Sequence, residues 1–168
     1  MAVIRRVYLY VVCAISLNAL VWGLISLLRE LSLDVGGVED LAMEIAVSVV
    51  SLGMYLTHWL WAGQLSRGSV DERQSGLRRF YLYASLAGFF GPLLGTLYAM
   101  LANLLNLTNT TYNYPNRVAT TSEQVLYDLI AILILALWMG YHFRVVHGDE
   151  KATAGADRHT EPVPAPAQ

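Results

Sequence analysis

The sequence predicts an all-α integral membrane protein, a four-helix bundle made of two parallel two-helix repeats with both ends on the cytoplasmic side. Three observations predict it: four long uncharged stretches, a short motif that recurs at the start of each half, and basic residues gathered in alternate loops. Hydrophobic residues make up 55% of the 168 and charged ones 14%, against about 45–50% and about 25% in ordinary soluble domains. Their distribution decides the class, because a lipid core demands uncharged runs of bilayer length and a soluble core does not. Backbone polar groups in lipid must be satisfied within the segment. Runs this long are therefore helices, since barrel strands are shorter and alternate in polarity.

The first stretch, 7–28, follows Arg5 and Arg6 and is uncharged throughout. It is longer than the apolar region of a secretory signal, and no small-x-small cleavage site closes it before Arg29, so it reads as a retained helix over about 7–31. Glu39, Asp40 and Glu44 lead into the second stretch, uncharged over 45–65 and predicted as a helix over about 41–65. Its rise of about 31 Å crosses the hydrocarbon core of about 30 Å. The third, uncharged over 80–107, exceeds the core thickness, so a helix over about 79–106 should tilt, bend at Pro92 or emerge at its end. The fourth is uncharged only over 129–143 and rises about 22 Å. A helix over about 124–147 must therefore bring Asp128, Arg144 or both near an interface, and an arginine can snorkel there. The connection 108–122 reads as a polar loop. Asn106-Leu-Thr and Asn109-Thr-Thr match the glycosylation pattern, which is too short to outweigh that plain reading. Residues 148–168, ending Glu-Pro-Val-Pro-Ala-Pro-Ala-Gln, are expected to form a disordered cytoplasmic tail.

Orientation follows from the loops. Arg5, Arg6, Arg67, Arg73, Arg78, Arg79, Arg144, Lys151 and Arg158 lie on one side, and only Arg29 and Arg117 on the other. The positive-inside rule then places both termini and the 66–79 connector in the cytoplasm of a cell with its chain in the inner (plasma) membrane. Trp59, Trp61, Tyr8, Tyr10, Tyr81 and Tyr83 are expected to form an aromatic belt at that surface. A net charge of −2 and a pI near 6.0 leave no basic field for nucleic acid. The single cysteine, Cys13, excludes an intrachain disulfide and a cysteine-based metal cluster.

Arg5-Arg6-Val-Tyr-Leu-Tyr recurs as Arg78-Arg79-Phe-Tyr-Leu-Tyr, each copy opening a long apolar helix. In the second helix of each half, Glu44 aligns with Asp128 and His58 with His142, and the halves close on Asp71-Glu72-Arg73 and Asp149-Glu150-Lys151. The expected units are 1–73 and 74–147. Two spans per unit insert both copies the same way up, about a pseudo-two-fold axis along the membrane normal. The pattern resembles a bacterial family of membrane domains of unknown function, DUF5671, over roughly 4–147. The likeness rests on the two Arg-Arg-x-Tyr-x-Tyr motifs and on His58-Trp59-Leu60-Trp61, which has drifted to His142-Phe143-Arg144 in the second half. The resemblance implies a four-helix membrane protein of prokaryotic origin and supplies no activity.

Several constellations are candidates for function. Glu44, Ser48, Ser51, Tyr55 and His58 fall on one face of the second helix, where they would either pack that helix or form a proton relay or solute path. The aligned Ile132, Leu135 and Met139 are apolar, so the second half does not continue the path. Glu44 and Asp128 are expected first to face the wet outer surface and otherwise to meet near the axis and share a proton. His58 and His142 could ligate a haem between the helices, although belt residues explain them as well, and no metal or cofactor is expected. Ala84, Gly88, Gly91, Gly95, Ala99 and Ala102 form a small-residue stripe on the third helix, first expected to receive the protein's own helices and otherwise a second copy or another membrane protein. No catalytic triad or phosphate-binding loop is present. The leading expectation is a non-catalytic membrane subunit or scaffold whose partners are the bilayer and neighbouring helices. A small transporter or proton-relay protein using Glu44 and His58 is second, and a bis-histidine haem protein third.

Overall fold

The computed structural model describes residues 2–33, 38–105, 111–114 and 117–160. Its elements are α1 (Ala2–Leu33), α2 (Val38–Gly68), a single turn α3 (Val70–Arg73), α4 (Gly76–Leu105), strands β1 (Thr111–Tyr114) and β2 (Arg117–Thr120), and α5 (Thr121–Thr160). The four long helices are each long and apolar enough to cross a bilayer, over Val3–Ser32, Val38–Gly68, Val70–Leu105 and Thr121–Ala152. The fold is helical as expected, apart from the small hairpin.

The helices pack as two hairpins, α1 on α2 and α4 on α5, and α1 also touches α4 and α5. The core follows from that placement: Leu9, Cys13, Leu17, Leu20, Val21 and Ile25 of α1 are all buried. At Gly23 the two helices approach closely. A Cβ there would stand 3.0 Å from Ser48 Oγ and 3.3 Å from Val47 Cγ1, so only glycine lets α1 and α2 meet at this level without displacement.

Local capping sets the helix starts. Ser69 accepts the Glu72 amide to begin α3, and Ser75 Oγ accepts the Arg78 amide in the first turn of α4. Thr120 and Glu123 form a reciprocal capping box: the Glu123 carboxylate accepts the Thr120 amide at 2.8 Å, and Thr120 Oγ1 accepts the Glu123 amide at 3.4 Å.

Two expectations are corrected. The connection 108–122 contains an antiparallel pair, with Thr111 opposite Thr120 and Tyr114 opposite Arg117. Threonine, tyrosine and valine favour extended backbone, and the pair rests on α5. Asn106 and Asn109 lie outside the described residues. The second correction concerns 148–168, because α5 stays helical to Thr160. Asp149 and Glu150 bond to α4, which ties the helix down beyond the last apolar turn. Residues 161–168 lie outside the described residues.

Candidate functional site

The polar face of α2 turns toward α1. Ser48, Ser51 and Tyr55 are buried, and Glu44 and His58 are half-buried. Ser51 Oγ donates to the Val47 carbonyl at 2.5 Å, and His58 Nδ1 lies 2.8 Å from the Met54 carbonyl. Glu44 and His58 stand about 21 Å apart along the axis. The hydroxyl of Ser51 between them is committed to its own helix, and Ser48 packs against Gly23. The adjoining groove of about 490 Å³ is walled mostly by Val12, Ile15, Ala19, Val47, Val50 and Met54. Its lining suits an acyl chain better than a hydrated solute.

Below this face, toward the end that carries Arg5 and Arg78, the four helices meet in an aromatic cluster. Tyr55 stacks on Trp59 at 6.0 Å between ring centroids and meets Trp138 edge-on at 5.5 Å. Trp59 lies 5.7 Å from Tyr81 and 5.9 Å from His142, and its indole N–H donates to the Tyr141 hydroxyl. Tyr10 brings α1 in by stacking on Tyr81 at 5.4 Å. Trp59, Tyr10 and Tyr81 are thus buried, contrary to the expected belt, whereas Tyr8, Trp61 and Tyr83 are exposed. The ring faces find more contact between helices than among headgroups. The signal was available in the sequence as Tyr55 with Trp59 and Trp138 with His142, an aromatic pair at the same four-residue spacing in each half.

His142 is fully buried in that cluster, so it is no belt residue. Its Nδ1 lies 3.0 Å from the Trp138 carbonyl, while Nε2 and the hydroxyls of Tyr55 and Tyr81 have no hydrogen-bond partner. His58 sits elsewhere, with Nε2 3.4 Å from the Tyr8 hydroxyl. The structure does not bring the two histidines to a common neighbour. Among the described residues no group of three metal-ligating side chains occurs.

Asp128 also turns inward instead of facing water. It is 3% exposed and accepts from Asn103 Nδ2 at 3.0 Å and Gln124 Nε2 at 3.1 Å. These amides let the short apolar run of the fourth helix begin inside the bundle. Nearby, the Arg29 guanidinium lies 5.6 Å from the centre of the Tyr127 ring.

At the opposite end, arginines of the recurring motif close each helix pair. Arg6 Nε lies 2.8 Å from Glu72 Oε2, with Arg5 at 4.0 Å from the same oxygen. Arg78 Nε lies 2.7 Å from Asp149 Oδ2 and its guanidinium stands 5.6 Å from the centre of the Trp59 ring. The Tyr83 hydroxyl donates to Glu150 at 3.0 Å.

The small-residue stripe of α4 does not receive the protein's own helices. Ala84, Gly88, Gly91 and Gly95 are exposed, Ala99 and Ala102 are half-buried, and a Cβ at any of the three glycines meets nothing within 4 Å. The buried Tyr81, Leu82 and Phe89 define the inward face, and the stripe lies beside it. Sequence spacing alone does not distinguish a stripe that packs inward from one that faces lipid.

The pattern of a domain of unknown function, DUF5671, matches residues 6–141. The chain belongs to the DUF5671 family. The DUF5671 region runs from Arg6 through α1, α2, α3 and α4 into the first half of α5 and stops one residue short of His142, so the partner of Arg78, Asp149, lies beyond it. No curated protein and no solved structure matches the chain.

Proposed function

We propose that this DUF5671 protein is a non-catalytic subunit of the inner (plasma) membrane that works through helix contacts, with the small-residue face of α4 as its contact surface and a second copy of the chain as the occupant. The observation that carries the reading is the open space over Gly88, Gly91 and Gly95 on a span that is the least buried of the four. Gly91-Pro-Leu-Leu-Gly95 has the spacing that lets two backbones approach, and a two-fold contact is self-complementary by construction.

Single cysteines placed along α4 test it in native membranes. Crosslinks between copies should recur every three to four positions through the stripe and vanish when Gly91→Leu and Gly95→Leu are combined. Absence of crosslinks at every position overturns the self-association. Stoichiometric copurification of a different membrane protein, lost in the same double variant, would transfer the surface to that partner.

The reading includes duplication and orientation. Support for two copied halves comes from equivalent contacts: Tyr8 meets His58 at 5.7 Å between ring centroids, and Tyr81 meets His142 at 6.0 Å. Both histidines bond the carbonyl four residues earlier, and each half pairs an arginine of the recurring motif, at different positions of it, with an acid toward the basic end: Arg6 with Glu72 on α3 and Arg78 with Asp149 within α5. The distribution of arginine and lysine supports a cytoplasmic location for the end bearing these pairs.

A further inference from the structure

A groove of about 460 Å³ opens between α2 and α5 at the basic end of the bundle, within the range of about 300–1,000 Å³ typical of ligand pockets. Three arginines from three consecutive elements line it: Arg67 from the last turn of α2, Arg73 from α3 and Arg78 from the first turns of α4. One carboxylate, Asp149, faces them, so the lining carries an excess of positive charge. Gln64 adds an amide, and Trp59, Tyr141 and Val145 supply a firm, largely apolar wall.

The arginines are not consumed by the fold. Arg67 is exposed and Arg73 half-buried, and neither makes an ion pair among the described residues. Of the two acids on α3, Glu72 bonds Arg6 on α1, and exposed Asp71 makes no ion pair with Arg73 among the described residues. Arg78 is 3% exposed and spends Nε and Nη2 on Asp149. Its Nη1 is buried without a hydrogen-bond acceptor, with the Tyr10 hydroxyl beside the guanidinium. A buried guanidinium fixed at two nitrogens with a third donor unfilled is an anchored half of a fork, and the fork geometry of arginine matches phosphoryl oxygens.

The geometry points to a binding groove for a phosphoryl anion between α2 and α5, with Arg78 as the fixed donor and Arg67 and Arg73 as the mobile ones. The anion is the phosphodiester of an anionic phospholipid headgroup or a soluble phosphate, since both present the same oxygens. Gly63 and Gly148 leave the groove open, because a Cβ at either meets nothing within 4 Å.

The full chain, purified in zwitterionic detergent, is titrated separately with phosphatidylglycerol and with inorganic phosphate, and binding is read by native mass spectrometry and by the shift in thermal unfolding. The variant R67Q/R73Q leaves the Arg78–Asp149 pair intact and should weaken binding at least tenfold, while R79Q, on an exposed arginine outside the groove, should not. Filling the groove with G63I should block binding without altering a charge. Lipid binding that obeys this pattern assigns the headgroup, and inorganic phosphate that does so assigns a soluble ligand. Binding of neither, or binding indifferent to R67Q/R73Q and G63I, overturns the proposal.

Discussion

Arg78 shows how one side chain carries both a structural and a chemical burden. Its pair with Asp149 is nearly buried on the arginine side, with side-chain exposures of 4% and 22%. Removing one partner strands a charge, so Asp149→Ala should lower unfolding stability by about 3–5 kcal/mol. Replacing both partners, with Arg78→Met and Asp149→Leu, should recover most of that loss, because no charge then remains buried. Reversible unfolding in mixed micelles measures both; equal losses in the single and double variants would refute the account. His142 has the opposite profile, with a buried Nε2 and no partner. His142→Phe keeps the ring contacts while removing the orphan nitrogen and should change stability by less than about 1.5 kcal/mol. His142→Ala, which opens a cavity among Trp59, Tyr81 and Trp138, should cost about 3 kcal/mol in the same assay.

Among the elements, glycine has two unlike roles. Gly23 on α1 is filled against Ser48 and Val47, whereas Gly88 on α4 faces open space. Gly23→Leu should therefore force α1 from α2 at a cost of about 1–3 kcal/mol, while Gly88→Leu should leave unfolding of the single chain unchanged. Finding the same destabilisation at both sites would show that α4 is packed within the chain. Helix existence was legible because the bilayer imposes a length on every span, and Arg5-Arg6 and Arg78-Arg79 marked where two of them begin. Facing was not legible. A tyrosine or tryptophan near a helix end suits a headgroup or a neighbouring ring equally well, and only the rings of α4 and α5 around Trp59 show that it faces inward and Trp61 outward. Residues that bond across long separations, such as Arg78 with Asp149 and Asn103 with Asp128, carry no local periodicity and emerge only once the helices are assembled.

For the whole molecule, topology is the property most directly measured. Single cysteines at Ser69 and Ser122, in a chain whose Cys13 is buried, should react with an impermeant thiol reagent from opposite faces of the membrane, Ser69 only after the cytoplasmic side is opened. Reaction of both from the same side would refute the four-span arrangement. Burial is distributed unevenly among the spans: 39% of the apolar window of α1 is covered by the rest of the protein, against 6% for the span that contains α4. Because α1 precedes the helices it touches, it is synthesised before any of them exists. Its surface toward α2, including Ser16, is covered as soon as α2 follows, while the part that meets α4 and α5 must remain in lipid or against an insertion factor until those helices are translated. The last part of the first helix to be covered thus waits for α5, and a nascent chain arrested before Thr121 would present that part to any quality-control protease of the membrane.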